Sequence, residues 1–67
     1  MSVVKIIDLV GESPDSWEAA AMNLVAEAKA TLRGITRIGI KEFDIRMKDN
    51  EVEVYRVRGE VSFRIER

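Results

Sequence analysis

The sequence predicts an α+β domain in the order strand, helix, strand, strand (β-α-β-β), with a three-stranded antiparallel sheet of order 1-3-2 wrapped around one helix. Three observations lead there. The chain opens on a β-branched run, "VVKIIDLV". Apolar residues then recur every three or four positions between Pro14 and Arg33, the repeat of a one-sided helix. From Ile35 onward the repeat drops to two, the mark of strands with one face turned inward.

Val3, Val4, Ile6, Ile7, Leu9 and Val10 make the first strand, interrupted only by Lys5 and Asp8, and Gly11 is expected to end it. The helix is expected from about Pro14 to Arg33. Ser13 would cap it, Pro14 would take its first position, and Asp15 and Glu18 would complement its dipole. Trp17, Ala20, Ala21, Leu24, Val25, Ala28 and Leu32 fall on one face, and Gly34 is placed as the stop. Trp17 heads that face, which assigns it to packing rather than to ligand stacking.

The later strands carry phase changes. Ile38 and Ile40 share one face while Phe43, Ile45 and Met47 share the other, which predicts a bulge near Lys41 and Glu42. Asp49-Asn50 is the hairpin turn. Val52 and Val54 alternate in one phase and Tyr55, Val57, Gly59, Val61, Phe63 and Ile65 in the other, so a second flip is expected near Tyr55. Placing the last strand between the other two makes every pairing antiparallel and keeps the crossover between the first two right-handed.

A strand running from Glu51 to Glu66 would span about 50 Å. A compact chain of this length has a diameter of only about 28 Å. The last strand, with Arg56, Arg58, Glu60, Ser62, Arg64 and Glu66 alternating on one face, therefore reads as surface that meets other copies. Size supports the same inference. A chain of 67 residues buries only about 60% of its unfolded surface, and with no cysteine and no histidine it has neither disulfides nor zinc or haem sites to compensate. Packing, a hard cation or partner subunits remain.

Composition narrows the function classes. The chain is 46% hydrophobic and 34% charged with net charge −1, and it has no apolar run long enough to span a membrane. No signal peptide is visible, and the chain reads as cytoplasmic. Residues 1–27 hold one lysine against five carboxylates, and residues 28–67 hold ten basic groups against seven acidic ones, so copies offer each other complementary faces. The basic residues of the last strand are interleaved with Glu60 and Glu66, which argues against nucleic acid. Nucleophile-and-base arrangements that use histidine or cysteine are excluded, and the four glycines are too scattered for a phosphate loop. A non-enzymatic protein is expected; Glu42 with Asp44, on one strand face, is a carboxylate pair that an acid/base reading could use. The junction "DLVGESPDSWEAAA" holds Asp8, Glu12, Asp15 and Glu18, hard oxygen donors suited to calcium or magnesium and equally explicable as a helix start.

"VKIIDLVGESPDSWEAAAMNLVAEAKATLR" followed by "YRVRGEVSFRIE" resembles the dodecin family, over essentially the whole chain. Shared features are a strand ending in glycine, a Ser-Pro helix start, an alanine-rich helix and a last strand reading Tyr-x-Val-x-x-Glu-Val-x-Phe. The resemblance implies twelve copies in a hollow shell, a homododecamer. It also implies a flavin site, in which paired rings stack between tryptophans and are held by a glutamine on the last strand. Here Arg37 stands at the tryptophan position and Arg56 at the glutamine position, which disfavours flavin as a cofactor and suits a small anionic ligand or ion pairs between subunits. A calcium-binding branch of the family is similar to this chain in the pattern "DxxGxSPxSWExAA". Within that pattern Asp8 and Glu18 are the carboxylates, and so the first candidates for a metal site. The expected function is small-ligand or cation storage by a homo-oligomer. The alternatives are flavin binding in an arginine-lined pocket and a purely structural oligomer.

Overall fold

The computed structural model describes residues 3–65. β1 (Val3–Ser13) is followed by α1 (Trp17–Thr31), β2 (Ile35–Lys48) and β3 (Glu51–Ile65). The strands form one sheet in the order β1-β3-β2, antiparallel at both pairings. This is the predicted topology. The unit is a ribbon, with extents of 51 × 18 × 14 Å and a radius of gyration of 13.8 Å.

β1 outruns its expected end. Gly11, Glu12 and Ser13 continue the ladder opposite Val57, Arg56 and Tyr55. Gly11 is needed there for clearance rather than for termination: a Cβ on it would run into the Ala20 carbonyl oxygen and lie 2.8 Å from the Leu24 Cβ. The helix consequently starts later than Pro14. Ser16, not Ser13, is its N-cap, with extended backbone and its Oγ accepting from the Ala19 N–H at 3.0 Å. Ser13 is buried and its Oγ accepts from the Asp15 N–H at 3.0 Å, so it closes the turn between strand and helix. Leu32 is the C-cap, and Gly34 follows at φ +74°, a left-handed turn into β2.

Helix and sheet meet along a narrow core. Ala20, Leu24 and Ala28 pack on Val57 and Val61 of the central strand, flanked by Ile7, Leu9, Ala21, Leu32, Ile35 and Ile38. Trp17 is not part of it; it remains 40% exposed. β2 bulges at Lys41, where the sequence phase changes, and also at Thr36. The second flip lies at Glu53, which has no partner between the pairs Arg46–Val54 and Met47–Val52, two residues ahead of Tyr55. Asp49 and Asn50 both take positive φ, 52° and 64°, as a two-residue primed hairpin requires.

Candidate functional site

The face of the sheet away from the helix carries most of the charge. β3 supplies Arg56, Arg58 and Glu60, while β1 and β2 place carboxylates or a lysine beside them. Arg58 reaches Glu42 on one side (3.1 Å) and Asp8 on the other (3.8 Å). Arg56 reaches Glu12 (3.2 Å) and Asp44 (3.8 Å), and Lys41 reaches Glu60 (3.6 Å). Arg46 spans from Glu12 to Glu53, at 3.1 Å each. These groups are partly solvated, so each pair taken alone contributes little stability.

The ladder decides where the sequence-predicted residues stand. Arg56 is engaged with carboxylates of its own subunit, and its Nε is buried without a well-aligned hydrogen bond. Arg37 lies exposed on the same face, opposite Ser62, and makes no ion pair among the described residues. Glu42 and Asp44 each face an arginine across the ladder, Glu42 at 3.1 Å from Arg58 and Asp44 at 3.8 Å from Arg56.

At the β1–α1 junction the four carboxylates separate. Asp8 projects from the charged face, in register with Glu60, whereas Glu18 lies in the first turn of the helix on the opposite side of the sheet. Glu12 is held by Arg46 and Arg56, and its carbonyl oxygen accepts from the Asn23 Nδ2 at 2.8 Å. Asp15 precedes the helix. Among the described residues there is no group of three or more carboxylates that one cation could share. Calcium takes roughly six to eight oxygens. One subunit therefore does not supply a complete calcium site from Asp8 and Glu18.

Sequence reasoning missed the part played by Glu12 and the direction of Trp17. The indole N–H donates to the Asp44 carbonyl at 3.2 Å, and the ring meets Phe43 and Tyr55 edge-on, with centroids 6.0 and 5.3 Å away. Alternation along β3 showed which residues share a face, but not that Arg46 would reach across it to Glu12. That contact depends on the register of all three strands.

Known proteins match this chain along its length. A protein-family model described as Dodecin matches residues 3–66. Calcium dodecin of Mycobacterium tuberculosis is 38% identical over 65 residues, covering 97% of this chain and 92% of that protein. A crystal structure of the M. tuberculosis calcium dodecin, described as a calcium-chelating antigen with a novel calcium-binding site, superposes with a TM-score of 0.85 at 35% identity, covering 96% of this chain and 91% of its own. A crystal structure of a point mutant of the Thermus thermophilus dodecin superposes with a TM-score of 0.90 at 36% identity, each chain covered in full. With the strand order, the helix placement and the full-length match in agreement, the chain belongs to the dodecin family.

Proposed function

We propose that this dodecin is a non-enzymatic, self-assembling storage protein that binds a small ligand or a calcium-type cation and lacks the usual flavin sandwich. The observation that carries the cation reading is its 38% identity to calcium dodecin over 65 residues. The junction pattern formed by Asp8, Gly11, Ser13, Pro14, Ser16, Trp17 and Glu18 lies within that match. Asp8 and Glu18 remain the candidate ligands. Because they stand on opposite sides of one sheet, the reading requires oxygens from more than one copy, as a homododecameric shell would supply.

Surface supports the assembly reading. The subunit exposes 5095 Å², against about 4300 Å² for a compact monomer of this length. Exposed apolar side chains include Ile6, Phe43, Met47 and Val52, each close to half exposed or more. No cavity is enclosed among the described residues, and on this reading a ligand would sit between copies. For flavin, Arg37 replaces the flat apolar surface of the stacking ring, and Arg56 is neutralised by Glu12 and Asp44. Arg37 favours a small anion as the second reading. No helix among the described residues is long and apolar enough to cross a membrane, and we take the protein as cytoplasmic.

Calorimetric titration of the assembled protein with calcium tests the proposal. Binding heat that disappears in both Asp8→Ala and Glu18→Ala is the expected result, with a single mass near twelve subunits in native mass spectrometry. Absence of heat in the wild-type protein removes the cation reading. Flavin absorbance in protein purified without desalting removes the claim that the flavin sandwich is lost.

A further inference from the structure

The β2–β3 hairpin projects past the start of the helix, so residues 43–55 form an arm with no helix laid over most of its length. The arm's inner face presents Phe43, Ile45, Met47 and Val52 to the surroundings. Two side chains from the β1–α1 junction grip the base of this arm, one from each face. On the inner face Trp17 packs edge-on against Phe43 of β2 and Tyr55 of β3, and its N–H donates to the Asp44 carbonyl. On the outer face the Glu12 carboxylate takes Arg46 of β2 at 3.1 Å and Arg56 of β3 at 3.2 Å. β1 does not border β2, so Arg46 must cross the central strand to arrive there. Arg46 also holds Glu53, the bulged residue that turns the arm, and Asp44 faces Arg56 from β2. Glu12 is anchored in turn by Asn23 of the helix.

We infer that the β1–α1 junction is a two-sided clamp that sets the angle of the β2–β3 arm. Each ion pair is weak alone, but a single carboxylate shared by guanidinium groups from two strands couples their positions, and the indole blocks movement toward the other face. The arm carries the most exposed of the large apolar side chains among the described residues, Phe43, together with Ile45, Met47 and Val52, so its angle decides how one copy presents them to the next. High salt, or a divalent cation that takes the Glu12 carboxylate from its arginines, opens the outer jaw; the inner jaw is indifferent to both. The inference stands on contacts within one subunit and does not rest on the calcium reading.

Hydrogen exchange followed by mass spectrometry on the assembled protein tests the clamp, using wild type, Glu12→Gln, Trp17→Phe and the double variant. Trp17→Phe keeps a ring in place and removes the N–H. In Glu12→Gln, exchange across residues 43–55 is expected to rise on the order of tenfold while residues 57–65 keep their protection. Salt of ~1 M should raise exchange in wild type and Trp17→Phe and add less to Glu12→Gln, where the Arg46–Glu53 and Arg56–Asp44 pairs remain to be screened. The double variant should exceed the product of the two single effects. Exchange in the arm that is the same in all four proteins, or a rise spread evenly over the sheet, overturns the clamp. So does a rise in Glu12→Gln confined to β1.

Discussion

Gly11 is where the helix backbone crowds β1, the carbonyl oxygen of Ala20 standing where a side chain would be. Gly59 on the neighbouring strand is under milder pressure, with the Leu24 Cδ1 3.2 Å from the position of a Cβ. A flexible leucine tip yields, whereas helix backbone does not. Gly11→Ala is therefore expected to cost about 1–3 kcal/mol through overpacking. Chemical denaturation should show the midpoint falling with the slope unchanged. Glu12, one position further on, has the opposite character: its volume matters little and its charge matters, because two arginines are arranged around it.

The helix illustrates how a neighbouring element overrides a local signal. Ser13, with a proline after it, is the expected start. β1 takes Ser13 into its ladder opposite Tyr55, leaving Ser16 to cap. Ser16→Ala should therefore lose about 1 kcal/mol. A lower thermal midpoint with retained helix signal at low temperature checks this in circular dichroism. The bulges behave similarly: the one at Lys41 is legible because hydrophobic phase changes there, while the one at Thr36 leaves no such trace.

At the scale of the whole molecule the controlling fact is shape. A radius of gyration of 13.8 Å exceeds the ~11 Å of a compact chain of this length, because the hairpin arm runs on beyond the start of the helix. Most of the inner face near the arm's tip has nothing from its own subunit to cover it. Met47→Asp, at a position 53% exposed, should leave the subunit's own core untouched and oppose burial against another copy. Native mass spectrometry is expected to shift to small species while far-UV circular dichroism is retained. An unchanged mass would place the assembly contacts elsewhere.

By itself the sequence determined the element order, the sheet order and the hairpin turn. Element order and turn are written in local periodicity and turn chemistry (β-branched start, three- and four-residue apolar spacing, alternation, and the Asp49-Asn50 pair), and the sheet order follows from making every pairing antiparallel. It also determined that a strand this long outgrows a compact subunit. The tertiary structure decided where β1 ends, which serine caps the helix, and which carboxylates are already engaged. Asp8 and Glu18 look adjacent along a pattern, yet a sheet lies between them. Glu12 looked like one more acid at a helix start, yet it joins all three strands. The physical reason is the same throughout: spacing along a chain fixes which face a side chain shares with its near neighbours, whereas an ion pair across strands exists only once register has brought distant residues side by side.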